Sequence, residues 1–301
     1  MVKRPGFRLF LISAPFLALL FLFSYLPLTG WVYAFFDYRA GMKLSQTPFA
    51  GLKHFAMIWG NAATQRDIAR VMVNTLAMSL LSLLASPLPM IFAVTLNEVR
   101  SSVFRKVAQT LTTLPYFISW VLVYSLAWAM FSIGDGFVNR ILVATGASSS
   151  GINFLASKDH VWLTQWAYTT WKSLGWNAVI YFAAISGISG ELYEAARVDG
   201  AGRWRIIWSI TLPGLTSTFF VLLLLQVANF INNGMEQYYV FQNAMNKQHI
   251  EVLDLYVYNR GIVGNMIPFA TAVSMLKSVV SVVLLFVANR LSKAVRGESI
   301  V

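Results

Sequence analysis

From Leu9 to Phe36 the chain runs without a charged side chain. A helix needs ~20 consecutive apolar residues to cross the hydrocarbon core of a bilayer, and this run exceeds that length. Five further apolar stretches follow, at about 71–96, 107–131, 161–188, 216–234 and 268–288. Backbone polar groups in lipid must be bonded within the segment itself, which a helix achieves. The reading is therefore an all-α integral membrane protein, with six transmembrane helices in a single domain over residues 1–301. Only 12% of the residues are charged, against about 25% in soluble domains, so no sizeable soluble domain fits beside the spans.

Lys3, Arg4 and Arg8 precede the first span and give it the look of a signal peptide. The apolar run is too long for one and lacks a small-x-small cleavage site, so it reads as an uncleaved first span with its basic end inside. Pro15 and Pro27 are expected to bend it, and Pro87 and Pro89 to interrupt the second span. Six crossings return the chain to the side it started from. On that side fall twelve Lys and Arg, among them Arg100, Arg105, Lys106, Arg203 and Arg205, packed into far fewer residues than the nine opposite. By the positive-inside rule both termini are cytoplasmic. The formal charge of +11 thus reports membrane topology and not nucleic-acid affinity.

Between the fourth and fifth spans, residues 189–215 read S-G-E-L-Y-E-A-A-R-V-D-G-A-G-R-W-R-I-I-W-S-I-T-L-P-G-L. Ser189 can cap a helix, with Glu191 and Glu194 in its first turns where carboxylates complement the dipole. Gly200 and Gly202 supply a stop, and a second short helix from Arg203 to Ile210 is expected to end at Leu212-Pro213. Charge is dense here and both flanks are apolar. By pattern alone it is a capped helical hairpin lying on the membrane face.

The same stretch resembles the cytoplasmic signature loop of ABC-importer permeases. The residues that carry the resemblance are Glu194-Ala195-Ala196, then Gly200, then Ile210 and Leu212-Pro213, at the family's spacing. The words F-L-F-S-Y-L-P, L-P-Y-F-I-S-W, N-G-M-E-Q and V-A-N-R-L-S-K are similar to the carbohydrate branch, in its oligosaccharide and polysaccharide subgroup. The resemblance implies a multi-pass permease of the bacterial cytoplasmic membrane. Its partners would be a second, homologous permease, two ATPase subunits and an extracytoplasmic solute-binding lipoprotein, with an oligosaccharide as cargo moved by alternating access. ATP and magnesium would sit on the ATPase subunits, and this chain would bind no cofactor. By position, Glu191, Glu194, Ala195, Ala196, Asp199, Gly200, Ile210, Leu212 and Pro213 would form the coupling helices that dock on the ATPase.

A substrate path is sought among polar groups inside the spans, since each is costly in lipid. Gln226, Asn229, Asn232 and Asn233, followed by Glu236, crowd the end of the fifth span, with 226, 229 and 233 spaced to share one helical face. Amides there could bond sugar hydroxyls or simply bond neighbouring helices. Lys277 lies too deep to snorkel to either surface; it pairs within the bundle or meets an anionic substrate, and the first is favoured. Lys172, beside Trp171 and Trp176, is also near a midpoint. Tryptophan can stack on a sugar ring, but anchoring and packing are the commoner uses.

Enzyme signatures are missing. There is no Gly-x-x-x-x-Gly-Lys-Ser/Thr, His-Glu-x-x-His or Gly-x-Ser-x-Gly, so nucleotide binding and hydrolytic catalysis by this chain are not expected. With no cysteine, thiolate metal sites are excluded, and His54, His160 and His249 lie far apart in loops. An importer of another solute class would share the loop. A secondary transporter would show inverted repeats or buried acid pairs, which are not seen.

Overall fold

The computed structural model describes residues 5–296. Lys3, Arg4 and Glu298, part of the inner-face charge count, lie outside the described residues. The first helix, α1 (Pro5–Leu20), continues as a π turn over Phe21–Tyr25 and a 3-10 stretch over Leu26–Phe35. Pro27 has no N–H to give and its ring crowds the preceding turn, so the ladder widens before it and tightens after it. Next come α2 (Lys53–Gly60), α3 (Ala62–Leu84) and α4 (Leu88–Asn97), the last two separated by a turn at Pro87.

The stretch expected as the third span, about 107–131, is two helices, α5 (Ser102–Thr113) and α6 (Trp120–Phe131), bent by 108°. Between them Leu114–Phe117 is 3-10 and Ile118 and Ser119 are extended. Pro115 removes one ladder bond, and Ser119 restarts the helix by accepting the Leu122 N–H at 3.4 Å. A short helix, α7 (Phe137–Ala144), precedes α8 (Val161–Ser186), the longest uninterrupted α-helix of the central chain at 26 residues.

After α8 the chain forms α9 (Gly190–Val198) and α10 (Arg203–Ile206). The expected stop at Leu212-Pro213 is not there. A π turn at Ile207–Thr211 carries the helix into α11 (Leu212–Ala228), giving a 26-residue apolar helix from Arg203 to Ala228. The proline sits in the first turn of α11, where the wider π turn absorbs its missing N–H. Three short helices follow, α12 (Glu236–Phe241), α13 (Lys247–Ile250) and α14 (Leu253–Tyr258), before α15 (Ile267–Arg296).

Among the described residues four helices are long and apolar enough to cross a membrane, Leu9–Phe35, Ala62–Asn97, Arg203–Ala228 and Ile267–Arg290, and the bent α5–α6 pair makes a fifth if taken as one. The helix α8 matches them in length but carries Gln165, Thr169, Thr170, Lys172, Ser173 and Asn177. All of these but the buried Gln165 line cavities described below.

Packing groups the chain into two compact units. One takes the chain up to Ile68 together with Tyr256–Val279; the other takes Ala69–Leu255 and the chain from Val280. In the first, Arg260 pairs with Asp67 at 2.5 Å and lies 5.2 Å from the Tyr256 ring centroid. In the second, Ala93 and Val94 of α4, Ala178, Tyr181 and Ile185 of α8 and Leu215 of α11 form a buried core. Gly175 brings α8 close to α5: a Cβ there would overlap the Thr112 main chain. Near the middle of α3, Arg70 reaches the buried Glu251 at 2.8 Å, and the Asn74 amide bonds the carbonyls of Gln248 and Glu251. Thr75 accepts the Leu253 N–H at 2.8 Å, so the chain before α14 is strapped to α3.

Candidate functional site: a polar cavity and the loop 189–215

The stretch 189–215 folds as its sequence implies up to Gly200. Ser189 occupies the N-cap position of α9, although its side chain makes no capping bond. Glu191 lies in the first turn and Arg197 in the last, each matched to the dipole end beside it. Beyond Asp199, Gly200 adopts φ +73°. Its N–H donates to the Arg197 carbonyl at 3.1 Å, and the Ala201 N–H returns to the Ala196 carbonyl at 2.9 Å. This is a Schellman end, and its left-handed position suits glycine.

Glu191, Glu194, Ala195 and Asp199 are exposed, Ala196 and Ile210 half-buried, and the Pro213 ring exposed. Alongside them stand apolar side chains with unusual exposure, Val198 at 88% and Trp204 at 76%. Tyr193 and the buried Thr211 meet hydroxyl to hydroxyl at 3.2 Å, tying α9 to the π turn that leads into α11. That contact joins α9 to the start of a membrane-length helix.

Helix α11 ends at Ala228, earlier than the expected end at Gly234, so Asn229 and Asn233 do not continue its face. The Asn229 amide turns back to the Leu225 carbonyl at 3.0 Å, the local competition that makes asparagine a poor helix interior. The fold nevertheless collects most of the expected polar groups in one place. A cavity of about 590 Å³ is lined by Gln226, Asn229, Asn232, Asn233 and Glu236, together with Ser79, Ser82, Trp120 and Thr169. Two neighbours share its walls. One of about 350 Å³ shares Ser82, Thr169 and Gln226, and one of about 430 Å³ shares Trp120, Thr169 and Glu236.

The amides differ in how they are engaged. Asn233 donates to Ser79 Oγ on α3 at 3.0 Å, and Ser79 in turn donates to the Phe230 carbonyl. Asn232 reaches Ser281 Oγ on α15 at 3.3 Å. Gln226 makes no side-chain bond among the described residues and faces the cavity. Glu236, exposed, is held there by its neighbour Gln237, which is buried at 5% exposure. The Gln237 amide donates to Gln165 O at 2.8 Å and Oε1 at 2.9 Å, and its oxygen accepts the Thr169 hydroxyl at 2.7 Å.

Lys172 belongs to the third cavity. Its ammonium donates to the carbonyls of Pro115 and Tyr116 at 3.2 and 2.6 Å, the groups released by the break between α5 and α6. Trp176 stacks on Tyr116 with centroids 4.6 Å apart and planes 6° from parallel, the packing use of tryptophan. Lys277 lies in the other compact unit, half-buried on α15. Trp120, Ser79, Ser82 and Thr169 were not singled out from sequence as path residues. The signal existed for Thr169, which follows Gln165 by one helical turn on a long helix rich in polar side chains.

Residues 85–297 match the family described as "Binding-protein-dependent transport system inner membrane component". Two proteins of Bacillus subtilis (strain 168) are each 36% identical over 293 residues: the polygalacturonan/rhamnogalacturonan transport system permease protein YteP and protein LplB. The alignments cover 97% of this chain and 89% and 90% of theirs. Among solved structures, a chain of a bacterial ABC transporter involved in the import of the acidic polysaccharide alginate superposes with a TM-score of 0.84 at 31% identity, covering 96% of both chains. A second, of the bacterial alginate ABC transporter in complex with alginate pentasaccharide-bound periplasmic protein, gives 0.85, also at 31% identity, with 97% and 96% covered.

Proposed function

The chain belongs to the family of inner membrane components of binding-protein-dependent transport systems, and from that membership we propose that it is the permease subunit of an ATP-driven importer of oligosaccharides. The observation that carries this reading is the near-full-length match to permeases named for polysaccharide-derived cargo, joined to a contiguous set of polar cavities with an aromatic wall. Sugars present hydroxyls that both donate and accept, and apolar ring faces. Gln226, Glu236, Thr169 and Trp120 supply those complements.

In this reading the chain crosses the membrane six times as one permease domain, with α8 the most polar span and α5–α6 one broken span. Irregular backbone at membrane depth is tolerated where it lines a cavity, as it does at Pro115–Ser119. Both termini and the stretch 189–215 lie on the cytoplasmic side. Partners are a second, homologous permease, two ATPase subunits that hold ATP and magnesium, and an extracytoplasmic solute-binding lipoprotein. The exposed face of α9, with Glu194, Ala195 and Val198, docks on an ATPase subunit, and the Tyr193–Thr211 contact relays its movement to α11. Closure of the ATPase pair on ATP drives the spans outward-facing, and hydrolysis resets them.

The test is reconstitution of the chain with its partners in proteoliposomes. ATP-dependent oligosaccharide uptake, requiring the binding protein, is the expected result. Uptake without any nucleotide-hydrolysing subunit, or ATPase activity indifferent to loaded binding protein, contradicts it.

A further inference from the structure

The path described above contains one cation whose donors are not all taken. An ammonium has three N–H donors. In Lys172 two go to the carbonyls of Pro115 and Tyr116, and the third has no protein partner among the described residues. The nitrogen lies 5.5 Å from the Trp120 ring centroid and 5.4 Å from that of Tyr116. It lines the cavity of about 430 Å³ that also holds Ser119, Thr169, Ser173 and the Glu236 carboxylate.

Capping two carbonyls at a helix break does not require charge; a neutral amide or hydroxyl would serve. An ammonium at membrane depth is costly and calls for a use. The surroundings suggest one. Trp120 offers a flat apolar face for a sugar ring, Glu236 accepts from ring hydroxyls, and Lys172 presents a charge-assisted donor to an acid. An acidic sugar residue carries all three complements in one ring: a carboxylate, hydroxyls and an apolar face.

Resting on the importer reading, we propose that Lys172 is a specificity-determining residue that reads the carboxylate of an acidic saccharide against the Trp120 face, with Glu236 taking its hydroxyls. The cargo is accordingly an oligosaccharide containing uronate residues.

The assay is equilibrium binding of a galacturonate tetrasaccharide and of its fully methyl-esterified form to the purified permease–ATPase complex, without binding protein or nucleotide. Esterification removes the charge and leaves ring and hydroxyls in place. The wild-type complex is expected to hold the free acid on the order of tenfold tighter, one charge-assisted hydrogen bond at a wet site. Lys172→Gln, which keeps donors for the two carbonyls, brings the ratio close to one; Lys172→Arg, which keeps the charge, preserves the preference. A wild-type ratio near one, absence of binding by either sugar, or an unchanged ratio in Lys172→Gln overturns the proposal. Collapse of the ratio in both variants assigns Lys172 to holding the helix break and overturns it as well. Failure of the importer reading is separate: stimulation of the wild-type ATPase by sugar-loaded binding protein is then lost whichever sugar is used.

Discussion

The Ala201 N–H donates to the Ala196 carbonyl across Gly200, at 2.9 Å and with Gly200 at φ +73°. The space around the missing Cβ is open, so a substitution there meets no neighbour and bears only the backbone cost. For a branched side chain in the left-handed region that cost is roughly 1–2 kcal/mol or more.

Gly200→Val is therefore expected to loosen the end of α9 while leaving the spans intact. Membrane levels on an immunoblot stay near wild type, and sugar-stimulated ATPase activity of the reconstituted complex falls at least severalfold. Gly200→Asn, which tolerates the left-handed conformation, retains most of it. Equal loss in both variants would show that the left-handed geometry is not what matters.

Glu194→Lys tests the docking face by charge. The residue is exposed, so the protein should insert and reach the same thermal midpoint. Coupling should not survive: ATPase activity no longer responds to loaded binding protein. A normal response removes Glu194 from the docking face.

Gln226 and Asn233 line one cavity but differ in engagement, and their variants should differ in kind. Asn233→Leu removes the donor to Ser79 Oγ, which keeps its own bond to the Phe230 carbonyl, and lowers stability by about 0.5–1.5 kcal/mol, read as a drop in the thermal midpoint. Gln226→Leu leaves the midpoint unchanged and slows transport severalfold. If the two effects were exchanged, the division between structural and path amides would be wrong.

Arg70 meets a Glu251 that is 4% exposed. Arg70→Ala leaves that carboxylate buried without its cation, at a cost of about 3 kcal/mol. Adding Glu251→Gln should return much of the lost stability in thermal denaturation. Additive losses would mean the pair is not coupled.

Much of this was legible from residues. Runs such as Leu9–Phe36 specify helices because lipid leaves the backbone no other partner, and Gly200 marks its turn because few residues adopt that φ. The breaks were harder. Proline at 115 bends the chain by 108°, while proline at 213 is absorbed by a π turn, and nothing in hydropathy separates the two. What distinguishes them is tertiary: the freed carbonyls at 115 and 116 find Lys172, which lies 57 and 56 residues away in the chain. Likewise the asparagines after Ala228 kept helical spacing on paper. Asn229 turns its amide back to the Leu225 carbonyl where that helix ends, and beyond it Gln237, beside Glu236, is bonded to Gln165.

The most direct test uses the absence of native cysteine. Ala195→Cys introduces a single thiol on the exposed face of α9. The account predicts that a membrane-impermeant thiol reagent labels it only after the inner face is opened, and that a short bifunctional reagent cross-links it to the nucleotide-hydrolysing subunit. Labelling from outside intact cells, or no cross-link to that subunit in the assembled complex, would contradict it.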